Sequence, residues 1–395
     1  MHQINIHSRA FLENPNAVLS VDGTRQSVAK GTSGPEFFTY DAVEALFRDD
    51  RIRPKTAEVY LDMGLSKDSP IYTFLQNGNF NMMPVPDHDR LRPLVLKGFR
   101  PKRIKDFTTD IAGITEGLIL DLKDRGSCDV IADFSHHVSI RSIARFIGVP
   151  EEDVHAFEDA TVELILLGTV PFMPGVPRLE AALVKIFAYI EGLIAKRRAA
   201  PREDFISDLM AHANGDDMTE AELVWSIVFI LLAGHDTTRY QIAATTRAVI
   251  AAGAWERIAA DPALIPKAVA ETHRMYPAAY RFPRLVLEAF EHDGIAFRPN
   301  DLLSLNLAGA GRDPARFTDP DRFDLDRQGP AFGIGFGHGA HHCIGWALAT
   351  AELAEALRSM TRHLVDPQIA GDIVYKVGGV IAGPESLKIR YTARG

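Results

Sequence analysis

Cys343 is the residue whose surroundings most restrict what it can do. It lies in the string Phe336-Gly-His-Gly-Ala-His-His-Cys-Ile-Gly345, and the helical pattern Trp346-Ala-Leu-Ala-Thr-Ala-Glu-Leu-Ala-Glu-Ala-Leu357 follows at once. Glycines at 335, 337 and 339 let the backbone bend tightly and approach a flat ligand, and Gly345 does the same beyond the sulfur. A sulfur at a helix N-terminus meets the positive end of the dipole and free N–H groups, which favour thiolate over thiol. A thiolate so held is a metal ligand or a nucleophile. The second cysteine, Cys128, reads as a small buried apolar side chain.

Three further sets of residues could do chemistry. Within a long apolar helical stretch, residues 233–238 read Ala-Gly-His-Asp-Thr-Thr. Glycine costs about 1 kcal/mol relative to alanine in mid-helix, and threonine competes for backbone carbonyls, so such choices mark function. A kink stabilised by Thr237 would account for the glycine and the alcohol, but not for Asp236. An acid beside an alcohol can pass protons. Glu271 and Arg274 stand three apart on one helix face, with Phe317-x-x-Pro320-x-Arg322-Phe323 downstream, and His88 and Arg92 stand four apart on another. As surface pairs these would be worth only a few tenths of a kcal/mol.

The cysteine string resembles the haem-binding loop of the cytochromes P450, Phe-Gly-x-Gly-x-His/Arg-x-Cys-x-Gly, through Phe336, Gly337, Gly339, His341, Cys343 and Gly345. In that family a cysteine thiolate holds the haem iron and pushes electron density toward O–O cleavage. Residues 233–238 resemble the family's oxygen-activation motif. By that resemblance Ala233 and Gly234 lie over the haem, Thr237 hydrogen-bonds dioxygen there, and Asp236 feeds it protons. Glu271, Arg274 and Arg322 resemble the buried network that supports the cysteine loop. His88, Arg92, Arg284 and His341 are the implied partners of the haem propionates. The implied cofactor is haem b, iron protoporphyrin IX, with Cys343 as the axial metal ligand. A rival pattern, Gly335-x-Gly337-x-x-Ala340 with Glu355 downstream, matches a dinucleotide fingerprint. That fingerprint needs a buried strand before it, and the polar run Asp326–Ala331 with Pro330 offers none.

The elements that must position these groups are mainly helical. Periodicity predicts helices at roughly 88–98, 104–125, 135–147, 151–167, 178–199, 219–251, 263–275 and 344–364, and Asp41 with Glu44 suggests a capping box. Short strands are expected at 37–40, 284–287, 294–297 and 302–304. The expected class is therefore mainly α with small β-sheets, a cytochrome P450 fold in one domain over residues 1–395. By resemblance the substrate pocket would take Tyr72, Phe74, Met82, Met83, Leu167, Phe172, Ile230, Ala233, Ala279, Val380 and Ile381, an apolar lining suited to recognition by shape. Arg239-Tyr240, Thr350 and the short stretch before Tyr40 depart from the family's usual pattern.

Composition narrows the partners. The 395 residues carry 43 Lys+Arg against 52 Asp+Glu, a net charge of −9, with no long basic run to neutralise a nucleic-acid backbone. Two distant cysteines exclude a disulfide scaffold and leave too few for an iron–sulfur cluster. The N-terminus has no apolar signal-type segment and the longest uncharged stretch is far short of a membrane span, so a cytoplasmic, unanchored protein is expected. With no flavin or cluster motif, electrons are expected from a ferredoxin and its reductase, docking near Arg100, Lys102 and Arg103. The resemblance implies a monooxygenase that oxidises a mostly apolar small molecule with dioxygen. Peroxide-driven oxidation and a non-catalytic haem or small-molecule binding protein remain the alternatives.

Overall fold

The protein is described by a computed structural model over residues 1–168, 172–212, 217–328, 333–376 and 378–394. The helices that frame the site are α1 (Val85–Leu96), α2 (Pro101–Leu122), α3 (His136–Ile147), α4 (Val154–Leu164), α5 (Val176–Ala199), α6 (Glu220–Ala251), α7 (Ile265–Met275) and α8 (Trp346–His363). Each matches a stretch expected from periodicity, with ends shifted by a few residues.

Helix α6 runs through the middle of the molecule. It starts at a capping box in which Thr219 Oγ1 accepts the Glu222 N–H at 3.2 Å and Glu222 Oε2 accepts the Thr219 N–H at 2.8 Å. Its residues are buried on nearly all sides because α3, α5, α7 and α8 pack around it. One apolar cluster joins α6 to α3 and α5 and takes in Ile344 and Leu348 from beyond the cysteine. A second joins α2, α7 and α8 to a three-stranded sheet built from Leu364–Ile369, Lys388–Ala393 and Ser127–Asp129.

The larger sheet holds strands β1 (Val28–Gly31), β2 (Gly34–Phe37), β3 (Ile52–Pro54), β4 (Arg281–Val286) and β5 (Leu302–Asn306) in the order β1-β2-β5-β4-β3. Its interior contains a buried ion pair, Arg281 to Glu36 at 3.1 Å, and the Asn306 amide donates to the same carboxylate at 2.6 Å. A buried carboxylate is tolerated here because its oxygens are fully partnered. The register sets Arg284 on β4 opposite Leu303, fixing where that guanidinium emerges.

Two expectations fail near the N-terminus. The aromatic run 37–40 is not one strand: β2 ends at Phe37, and a helix, Tyr40–Phe47, begins three residues later. That helix has Thr39 at its cap with no side-chain capping bond, so Asp41 and Glu44 form no capping box. The chain before Tyr40 is also ordered into two short helices, Arg9–Glu13 and Pro15–Leu19, and a small hairpin.

Gly34 holds the β1–β2 turn with φ +79°, and an added Cβ would lie 1.9 Å from the Leu302 carbonyl of β5. Gly34→Ala should therefore destabilise the fold by about 2 kcal/mol or more, through left-handed strain and overpacking together. Denaturant titration should register the loss, and a variant within error of the parent would contradict the close approach.

Candidate active site

The cysteine loop is built by its glycines. Gly337 (φ +75°) and Gly339 (φ +68°) take left-handed backbone. The loop closes through the Cys343 N–H donating to the Phe336 carbonyl at 3.0 Å and the Gly337 N–H to the Ile334 carbonyl at 2.8 Å. A Cβ on Gly339 would sit 2.8 Å from the Phe47 carbonyl, so no larger residue fits against the helix Tyr40–Phe47. Gly345 caps α8 without a side-chain hydrogen bond, and its amide points at the sulfur. Burial nevertheless pushes the half-buried Cys343 thiol up to about 11, against the pull of that amide and of Arg92. The helix terminus thus favours thiolate in sign, but desolvation outweighs it until a cation binds the sulfur. Cys128 is buried in a strand of the smaller sheet, and burial raises its thiol to about 12.

Behind the loop lies a buried ion network. Glu271 accepts two hydrogen bonds from Arg274, both at 2.8 Å, and Arg274 also donates to the carbonyls of Gly311 at 2.6 Å and Pro320 at 2.9 Å. The third member is Arg327, whose Nε lies 2.9 Å from Glu271 Oε1. This corrects the assignment of Arg322. The Arg322 side chain is 65% exposed and pairs with Asp324, whereas that of Arg327 is 14% exposed. Arg322 contributes only its backbone carbonyl, which accepts from Arg274 and Arg327. His273, between the two network residues on α7, lays its ring against Phe336 with centroids 4.1 Å apart. Its spacing gave no signal, because stacking depends on tertiary approach.

On another side of the loop four basic groups converge. The His88 and His341 rings are 4.3 Å apart. Arg92 donates to the His342 carbonyl. Arg284 lies over the Phe47 ring at 5.3 Å and, among the described residues, hydrogen-bonds only the Pro283 carbonyl at 3.1 Å. Burial, then the charges of His88, Arg284 and Arg92, depresses His341 to about 3, and burial lowers Arg284 to about 10. Among the described residues no carboxylate lies within ion-pair distance of Arg92, Arg284 or His341. His88 Nε2 and His341 Nδ1 are buried without a hydrogen bond.

On α6, Thr237 Oγ1 donates to the Ala233 carbonyl at 2.6 Å. Asp236 is buried, which raises its pKa, while Arg239, Lys376 and His136 pull it down. The Arg239 guanidinium stands 3.0 Å from Asp236 Oδ1 but off the hydrogen-bond axis, since that oxygen accepts no bond. The unusual Arg239-Tyr240 pair is thus part of the acid's surroundings, with Arg239 also donating to the Tyr240 hydroxyl at 3.0 Å. Gly234 is required by packing as well, for a Cβ there would come within 2.7 Å of Ile143. Thr238 donates to the buried Glu352 of α8 at 3.4 Å, tying the motif helix to the helix that follows the cysteine. Thr350 turns its hydroxyl back to the Trp346 carbonyl at 2.7 Å.

The apolar residues expected around a substrate are placed unevenly. Phe74 is buried against Trp225, with ring centroids 5.6 Å apart, and Phe172 against Tyr60 at 4.8 Å. Met83 and Ile230 are also buried, while Tyr72, Met82, Leu167 and Ala233 are half-buried on the same apolar cluster. Ala279 pairs with Ile381 as an isolated bridge, and the Val380 carbonyl accepts the Tyr280 N–H at 3.1 Å, so two chain segments close one end together. Residues 169–171, within an expected substrate segment, and 329–332, before the cysteine loop, lie outside the described residues. The basic cluster expected to dock a ferredoxin is largely neutralised. Arg100 and Arg103 both pair with Asp208, and Lys102 lies 3.1 Å from Asp106.

The family model of cytochrome P450 matches residues 261–364. A curated relative from Saccharopolyspora erythraea, cytochrome P450 107B1, is 32% identical over 313 residues, covering 77% of this chain and 75% of that protein. The chain belongs to the cytochrome P450 family. Luteothin monooxygenase of Streptomyces thioluteus is 30% identical over 357 residues, 90% of this chain and 87% of its own length. Among solved structures, P450BioI in complex with a hexadec-9Z-enoic acid-ligated acyl carrier protein superposes with TM-score 0.87 at 26% identity, covering 96% of this chain and 99% of that one. CalO2 superposes with TM-score 0.91 at 23% identity over the full length of both chains and shows the shared fold. This P450 is accordingly a monooxygenase, mainly α with small sheets.

Membership implies a haem iron, and the residues present fit one. A P450 sulfur needs a metal cation to become a stable thiolate in its buried setting. Among the described residues Arg92 and Arg284 have no carboxylate partner, and His88 Nε2 and His341 Nδ1 nearby are buried without a hydrogen bond. A flat macrocycle with two carboxylates answers both deficits. Cys343 would hold the iron, and His88, Arg92, Arg284 and His341 would hold the carboxylates. No helix among the described residues is long and apolar enough to cross a membrane.

The corrected network makes a direct prediction. Arg327→Ala leaves Glu271 buried with one partner fewer and should cost about 3–5 kcal/mol, whereas Arg322→Ala breaks an exposed pair and should cost no more than about 1 kcal/mol. Denaturation of both variants checks this, and equal losses would return the structural role to Arg322.

Proposed function

We propose that this P450, as one domain over residues 1–395, binds haem b through Cys343 and oxidises a mostly apolar small molecule with dioxygen, using electrons from a separate ferredoxin and its reductase. The observation that carries the reading is a buried sulfur in a glycine-bent loop beside two arginines, Arg92 and Arg284, that have no carboxylate partner among the described residues.

Bound haem supplies the cleavage of dioxygen, one atom entering the substrate and the other leaving as water. The chain must bring two protons to that chemistry and keep bulk water from it. Asp236 is the acid for this task. Burial raises its pKa above that of an ordinary aspartate, against the pull of Arg239, Lys376 and His136, so it holds a proton more readily than an exposed carboxylate does. Thr237 stands next to it, with a hydroxyl that can donate one proton and accept another. Its bond to the Ala233 carbonyl fixes the orientation of that hydroxyl on the helix. Met82, Met83, Ile230, Val380 and Ile381 offer apolar surface that excludes water and selects by shape. The acid–alcohol pair favours dioxygen over peroxide as oxidant, since peroxide already carries the electrons and protons the pair would help to manage.

Reduced, carbon monoxide-treated protein should show the strongly red-shifted Soret band of thiolate ligation, and Cys343→Ser should lose it. A band that persists in the variant would remove Cys343 from the iron. With a substrate and a redox pair in hand, Thr237→Ala should cut product formed per reductant at least about tenfold and release the balance as hydrogen peroxide, the direction expected when a proton-transfer group is lost. Unchanged coupling would remove Thr237 from proton delivery.

A further inference from the structure

Away from the cysteine loop, imidazoles and one carboxylate gather where α3 meets α4. His136 Nε2 lies 2.5 Å from Glu158 Oε1, His137 Nδ1 lies 3.6 Å from the same oxygen, and His155 Nδ1 lies 3.3 Å from Glu158 Oε2. The ligand atoms of His136, His137 and Glu158 all fall within 4.8 Å of one another. A small surface pocket lined by His137, Arg141, Glu151, His155 and Glu158 opens onto them.

We propose that His136, His137 and Glu158 form a binding site for a zinc-type divalent cation, with His155 or water completing its coordination. Zinc accepts imidazole nitrogen and carboxylate oxygen at about 2.0–2.2 Å, which sets tetrahedral ligand atoms roughly 3.4 Å apart. The 3.6 Å from His137 and the 3.3 Å from His155 are close to that, and the 2.5 Å contact of His136 must open by about 1 Å to admit the ion.

The direction in which His136 faces supports this. Behind it, His235 Nε2 lies 3.2 Å from His136 Nδ1. His136 thus sets Nδ1 against the buried His235 and turns Nε2 outward to the carboxylate. Metal-binding histidines are commonly oriented by such a bond from the second ring nitrogen. An ion pair of His136 with Glu158 would explain one of these contacts. It does not explain three imidazoles turned toward a single carboxylate. Arg141 at the rim opposes a cation, and Glu151 offsets it.

Zinc uptake is read without turnover, so its test can succeed or fail apart from the proposed oxidation. Untagged holoenzyme, freed of adventitious metal with a chelator, is titrated with zinc chloride by calorimetry. One equivalent should bind per chain. Glu158→Gln and His136→Asn should each weaken binding at least tenfold. His137→Gln, on a half-exposed ring, provides a variant with little risk to folding and should do the same. His363→Asn, in a separate histidine–glutamate pair with Glu116, should leave the affinity unchanged. Absence of stoichiometric uptake by the parent protein, or equal affinity in the Glu158 and His137 variants, would overturn the proposal.

Discussion

The Cys343 sulfur sits where burial resists its ionisation and only the Gly345 amide and Arg92 pull the other way. Such a sulfur is a poor free thiolate and a good ligand for a cation brought to it. Most of the surrounding structure can be understood as holding the loop open to that cation while denying access to water. Left-handed glycines bend the chain, α8 begins directly beyond the sulfur, and the helix Tyr40–Phe47 presses against Gly339 closely enough to exclude a side chain. The same logic of incomplete charge applies on the other side of the loop. A buried Arg284 with one carbonyl for company is expensive in isolation and reasonable opposite a carboxylate.

Rigidity comes from networks in which every charge is answered. Glu271 is gripped by Arg274 and Arg327, and Arg274 spends its remaining donors on carbonyls from the segment leading toward the cysteine. Glu36, Arg281 and Asn306 do the same inside the larger sheet and so fix the strand that carries Arg284. The contrast between satisfied networks in the supports and unsatisfied cations at the site distinguishes scaffold from binding surface.

Much of this was legible in the sequence. Long helices bury whole faces, so their periodicity survives in the residue pattern, and α5 was expected at 178–199 and runs Val176–Ala199. The cysteine loop was legible because glycine, cysteine and histidine at fixed spacing leave few chemical options. What failed was short or tertiary. Helices of five residues at the N-terminus carry too little periodicity to read. Arg322 and Arg327 are close in the chain and alike in chemistry, and only the path of the turns between them sends one guanidinium to Glu271 and the other to solvent. The three residues converging on Glu158 come from two helices, and no spacing along either one announces the cluster.

The surroundings of Asp236 show why an exposed acid would serve less well. In water its pKa would stay near 4, too low to return a proton readily at neutral pH. Burial alone would hold it protonated and leave it a poor conduit in the other direction. Arg239, one turn along the same helix, and Lys376, from the C-terminal part of the chain, counter that burial without forming a direct hydrogen bond to Oδ1. An ion pair slightly off axis stabilises the carboxylate less than a fork-to-fork bond would, and it leaves an oxygen free to meet a proton. Arg239, which looked like a departure from the family pattern, is therefore one of the charges that oppose the effect of burial on Asp236.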